Sequence, residues 1–277
     1  MSEHILAHLT RADAVLGNLI RAVGPCRLVP ATDGEPFQTL ARAIAHQQLN
    51  GTAANTILGR LCESCGQGGF PTPQMVLAAS VASLRAAGFS FAKVAALRDL
   101  AEKTLTAVVP AAGLLEELAD EEIVARLVQV RGVGRWTVEM LLIFQLGRPD
   151  VLPVDDFGVR SGFRAAYGLA RLPQPKALAA FGERWKPYRS TAAWYLWRAL
   201  ELQRAGTLPE PLERIRLPRI RKRRRAAPVK GAARKRGKAP RALRRAGASS
   251  TPPRRSDGRS RARRPRARRS RAPASRR

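Results

Sequence analysis

The sequence predicts an all-α domain over residues 1–212, followed by a structureless basic tail over residues 213–277. Three observations lead there. Apolar residues recur at intervals of three and four through nearly every segment of the first part. No stretch of useful length alternates apolar with polar residues, as a half-buried strand would. The breaks between periodic runs carry glycine, proline or short polar caps, the punctuation of helix ends.

In order, Ile5, Leu6, Leu9, Val15, Leu16, Leu19 and Ile20 share a helical face until Gly24-Pro25 ends the pattern. A loop with Asp33-Gly34 and Pro36 leads into a helix in which Phe37, Leu40 and Ile44 recur, and Asn50-Gly51 breaks it. Thr52 to Leu61 gives another helix, closed by the loop Glu63-Ser64-Cys65-Gly66-Gln67-Gly68-Gly69. Thr72-Pro73 reads as the N-cap and first residue of a short helix closing near Gly88. Ser90 caps a run with Phe91, Val94, Leu97, Leu100 and Leu105 on one side. Asp120-Glu121-Glu122 opens the next helix, because acids favour the positive end of the helix dipole. After the central stretch, Lys176–Trp185 and Ser190–Ala205 supply two more, for about ten helices with no fixed-period repeat.

Composition bounds the partners. Residues 216–277 hold 27 Lys and Arg against one acid, Asp257, and so carry +26 of the net +29. With almost nothing apolar to bury, such a tail is expected to stay disordered and to bind polyanions through counterion release. Three cysteines, Cys26, Cys62 and Cys65, disfavour a disulfide framework, and Cys62/Cys65 lack a second pair or a nearby His to complete a metal site. No apolar run reaches membrane-spanning length, and acids stand where a secretory signal would be basic. The expectation is a monomer of the cytoplasm or nucleoid, or of a nucleus, with no membrane partner.

The chain is organised around Arg126–Tyr167. An apolar run to Val130 is followed by Arg131-Gly132-Val133-Gly134-Arg135, a second run from Trp136 to Leu146, and a Pro-punctuated turn carrying Asp155 and Asp156 into a third. Two helices joined by a Gly-x-Gly turn expose main-chain amides at the start of the second helix, a seat for a phosphate. The same glycines are also what any tight turn between helices needs. Asp155 and Asp156 fit N-capping of the helix that follows, and equally a carboxylate that stabilises positive charge on a sugar.

This segment closely resembles the helix-hairpin-helix DNA glycosylases, in particular the 3-methyladenine (alkylated base) branch, with its hairpin followed by Pro and a catalytic Asp. The resemblance runs from about Phe37 to Glu201 and implies the compact form, without the N-terminal β-rich domain of larger members. It implies hydrolysis of the N-glycosidic bond of alkylated purines, 3-methyladenine and also 7-methylguanine, in double-stranded DNA by base flipping, with no cofactor. On the resemblance, register from the following helix puts the catalytic carboxylate on Asp156, with Asp155 second. The base pocket falls on Trp136 and Trp197, with Met140 where some members carry an aromatic. Gly132, Gly134, Arg135 and Thr137 fall on the phosphate side. Trp136 stands where bifunctional relatives carry a Schiff-base Lys, which implies a monofunctional enzyme. Gln48 or Leu49 fills the gap left by the extruded base, with His46 near the backbone. Arg189 and Ser190 either hold phosphate or cap the last helix. A monovalent cation on the carbonyls of Val128, Val130 and Gly132 is a further family property.

Overall fold

The computed structural model describes residues 3–32, 34–211, 215 and 217, and among them every regular element is helical. Of the tail expected from residue 213, only Ile215 and Leu217 are described, and both pack against apolar side chains of the helical domain rather than standing free of it; the rest lies outside the described residues. None of the described helices is long and apolar enough to cross a membrane.

The first periodic run is two helices, α1 (Glu3–Ala12) and α2 (Ala14–Val23), because Asp13 caps the second. Its Oδ1 accepts from the Val15 and Leu16 amides at 3.1 Å each. Oδ2 accepts from the Tyr167 hydroxyl at 2.6 Å and from Trp185 Nε1 at 3.0 Å, so one buried carboxylate ties the N-terminal helices to the far end of the domain. Burial, then the charge of Asp13, pushes the Tyr167 hydroxyl well above its usual range.

Helices α3 (Pro36–His46) and α4 (Gly51–Cys65) fall where periodicity put them, with Asn50 capping the second through the Ala53 amide. The helix expected between Thr72 and Gly88 is instead α5 (Pro73–Ala78) and α6 (Val81–Ala86). Ala79 is extended, and the Ser80 hydroxyl accepts from the Ser83 amide to start the second helix anew. Helix α7 (Phe91–Leu105) follows its Ser90 cap, and α8 (Ala112–Glu117) is a single turn that periodicity did not mark. Then come α9 (Asp120–Leu127), α10 (Arg135–Phe144), α11 (Phe157–Ala166), α12 (Pro175–Gly182), a 3-10 turn (Glu183–Trp185) and α13 (Arg189–Ala205). The described residues thus hold thirteen α-helices rather than ten.

Two apolar clusters form the interior. One gathers α3 to α10 around Leu40, Leu97 and Leu141, and the other gathers α1, α2 and α11 to α13 around Leu16, Phe163 and Tyr195. Trp197 packs against both, and the aspartate at the start of α11 meets it at this seam.

Candidate active site

The turn between α9 and α10 is braced from two sides. Gly132 lies at φ +78°, where a side chain is strained, and the Asp99 carboxylate of α7 accepts from the Arg131 amide at 2.6 Å. Burial disfavours the Asp99 charge, yet the Arg131 amide and the Lys103 ammonium outweigh it and hold the carboxyl below its usual range. From α3, Gln47 Nε2 donates to the Gly132 carbonyl at 2.8 Å. Gly134 is the N-cap of α10, and no side chain caps that helix. A side chain at Gly134 would meet nothing within 4 Å, so the approach to this helix start is open, and its first-turn amides have no side-chain cap. Main-chain donors aimed outward at a helix N-terminus make an anion seat.

Across from it, Asp156 receives three N–H donors. Trp136 Nε1 donates to Oδ2 at 2.8 Å, Trp197 Nε1 to Oδ1 at 2.9 Å, and the Val159 amide to Oδ1 at 2.6 Å. Asp156 is therefore both the N-cap of α11 and a carboxylate clamped by the two indoles. Of the two roles set out from sequence, capping is the one this geometry displays. Asp155 beside it is exposed and accepts no indole. The rim is aromatic and open: Trp136 is 47% exposed, Phe157 67% and Phe144 41%, and the Phe144 ring stacks on Trp197 with centroids 5.5 Å apart. Half-buried Met140 packs against the first apolar cluster.

A model of the family described as "HhH-GPD superfamily base excision DNA repair protein" matches residues 41–187, which span the hairpin, Trp136 and Asp156 and stop short of Trp197 in α13. The chain belongs to this superfamily. The HhH-GPD chain is similar to DNA-3-methyladenine glycosylase 1 of Schizosaccharomyces pombe, 39% identical over 208 residues that cover 72% of this chain and 91% of the relative. Among solved structures, it is similar to the S. pombe 3-methyladenine DNA glycosylase Mag1 in complex with abasic DNA. That match has TM-score 0.63 and 38% identity, and covers 70% of this chain and 95% of that one. A DNA-3-methyladenine glycosidase from Bacillus halodurans aligns with TM-score 0.66 and 31% identity, over 73% of this chain and 91% of that one.

Several side chains expected at the HhH-GPD interface have other partners. Arg135 is exposed but already ion-paired: it holds both Glu121 oxygens, at 2.5 and 3.0 Å, and Glu139 at 3.1 Å. The first of these bonds is the main reason that its guanidinium is held still more firmly protonated. Thr137 is buried, so only its main chain belongs to the anion seat. Arg189 grips Asp150 at 2.7 and 3.0 Å, and buried Ser190 donates to the Arg148 carbonyl at 2.6 Å while accepting from the Val151 amide at 2.9 Å. That pair neither caps α13 nor faces outward; it staples the loop leading to Asp156. Trp194 and Tyr195 are buried, the latter donating to the Gly24 carbonyl.

Gln48 and Leu49 do stand exposed at the end of α3, Gln48 at φ +58°, and His46 is exposed beside them. Of the carbonyls expected for a cation, that of Val130 accepts from the Val133 amide and that of Gly132 from Gln47. Each keeps a second lone pair.

Sequence reading missed Glu139. It is 5% exposed on the face of α10 next to Trp136, lining a cavity of about 270 Å³ with Asp120, Glu121, Arg135, Asp150 and Arg189. These charges are paired among themselves or with Arg148, and neither indole nor Asp156 lines the space, so it is distinct from the aromatic rim. Burial pushes the Glu139 carboxyl up to about 7, with Arg135 opposing and Asp155 and Glu121 adding to the rise. An acid within a helix opening just after a Gly-x-Gly turn was the available signal.

Proposed function

We propose that this HhH-GPD chain is a monofunctional DNA glycosylase that removes alkylated purines, 3-methyladenine first and 7-methylguanine with it. The observation that carries the reading is the clamp: two indoles, one at each end of the aromatic rim, donate to the two oxygens of one carboxylate beside an amide-lined turn.

In the proposed reaction the damaged nucleotide leaves the stack and its base lies on the indole rim, which repays the lost stacking. The C1′–N bond breaks, its electron pair goes to the base, and the sugar becomes oxocarbenium-like. Asp156 stabilises that charge through space. The indole donors fix the carboxylate in place before the charge appears, so little reorganisation is needed as it develops. Water then adds to C1′ and loses a proton, leaving an abasic site. Purines alkylated at N3 or N7 are already cationic and leave as neutral bases, so no strong general acid is required. The amides of α10 hold a phosphate of the duplex, and Gln48 or Leu49 fills the gap left by the extruded base.

The monofunctional reading is supported by Trp136, which stands in α10 where the family resemblance puts the Schiff-base lysine of bifunctional relatives. Half-buried Lys93 is turned to other use: its ammonium donates to the carbonyls of Ala45 and Gln47 at 2.8 and 2.7 Å and closes the end of α3.

The test is incubation of the protein with methylated duplex DNA. Free 3-methyladenine with alkali-labile abasic sites, and no covalent adduct on borohydride reduction, is the expected result. No base release would remove the glycosylase reading, and a trapped adduct would remove the monofunctional one.

A further inference from the structure

Helices α11 and α13 lie backbone to backbone. A methyl group on Gly162 would collide with the Leu196 carbonyl, which brings the two main chains together immediately before Trp197. One turn nearer the start of α11, a methyl on Gly158 would stand 2.8 Å from Trp197 Cδ1, 3.1 Å from its Nε1 and 3.1 Å from Asp156 Oδ1. Carbon atoms rest at roughly 3.5–4.0 Å, so the first of these contacts forces something to move.

Nothing in the chain path asks for glycine here. Position 158 is helical, in the first turn of α11, where other residues are accommodated readily. Its missing side chain matches the indole. Trp197 has little freedom to yield, because Phe144 stacks on one indole face and both apolar clusters pack against the ring. A methyl at 158 therefore lifts Nε1–H off the Asp156 carboxylate.

We infer that Gly158 is a positioning residue that sets how deep Trp197 sits, and through it both the room for the extruded base and the hold on Asp156. The inference rests on the glycosylase reading. It identifies a residue that touches neither DNA nor base yet governs the rate at which a base is released.

The experiment is a double-mutant cycle on single-turnover release of 3-methyladenine from a methylated duplex, with wild type, Gly158→Ala, Trp197→Phe and the double variant. Duplex affinity and the thermal midpoint are measured for each. Gly158→Ala is expected to release base about ten- to a hundredfold more slowly, the scale of a small misplacement at a reacting centre, with duplex affinity unchanged. In the Trp197→Phe background, which lacks the indole N–H and its bulk, the same change is expected to cost nothing further. Should Gly158→Ala fail to fold alone, a folded double variant that releases base as Trp197→Phe does carries the same support. Undiminished release by a folded Gly158→Ala, or effects of the two changes that simply multiply, overturns the inference and leaves the glycosylase reading standing. A wild type that releases no base overturns both.

Discussion

A carboxylate with both oxygens bonded to indole N–H groups is fixed in direction, and at Asp156 this fixing is shared between capping α11 and facing the rim. The Pro-Val-Asp-Asp stretch pointed to the region, and the register of the next helix separated Asp156 from exposed Asp155. Arg135 was not legible in the same way. A basic residue beside a glycine turn reads as a phosphate anchor, yet its nearest acids, Glu121 fourteen residues before it and Glu139 one turn after, claim it. Glu139 allows a pH prediction. Its folded-state value of about 7 exceeds the ordinary 4.5, so the folded chain keeps a proton that the unfolded chain releases between those values. The group favours folding fully below the lower value, and that contribution is lost as pH rises through the upper one. Relative to wild type, Glu139→Gln is thus expected to gain stability from pH 5 to pH 8, by up to about 3 kcal/mol. Denaturation midpoints that keep a constant offset across this range would contradict the assignment.

At the scale of elements, the hairpin depends on helices that are distant in sequence. α7 supplies Asp99 to the Arg131 amide, and α3 supplies Gln47 to the Gly132 carbonyl. Replacing Asp99 by Ala removes a charge-assisted bond from a partly buried turn, which typically costs about 1–3 kcal/mol. Asp99→Ala is accordingly expected to unfold at lower denaturant and to bind duplex DNA more weakly. A destabilised variant with undiminished DNA affinity would show that the turn needs no brace. Periodicity revealed the long helices because their apolar faces are wide. It merged α1 with α2, and α5 with α6, since a single Asp13 or Ser80 cap interrupts a helix without disturbing the apolar spacing around it. The one-turn α8 is too short to show a period at all. The seam of α11 and α13 was equally hidden, because its glycines are read against another helix and not along their own.

For the whole molecule, charge is divided very unevenly: nearly all of the net +29 belongs to residues 216–277. We propose that this tail adds sequence-blind affinity for the DNA backbone and no chemistry. Each phosphate that it neutralises contributes about −0.9 to the slope of log affinity against log salt. Removal of residues 216–277 is expected to flatten that slope on duplex DNA while base release on short duplexes at low salt stays as it was. An unchanged slope would argue against a nucleic-acid arm. Arg135 and Arg189 are ion-paired within the helical domain, so we propose that its own grip on DNA uses uncharged donors, the amides of α10.

The charge of Asp156 is the point on which the mechanism turns, and Asp156→Asn removes it while keeping the size of the side chain and an oxygen able to cap α11, at the cost of the acceptor for one indole N–H. The measurement is the single-turnover rate of 3-methyladenine release, wild type beside Asp156→Asn, on a methylated duplex that both are shown to bind. A fall of about a hundred- to a thousandfold with DNA affinity retained is the predicted result. Release by the Asn variant at the wild-type rate would contradict it.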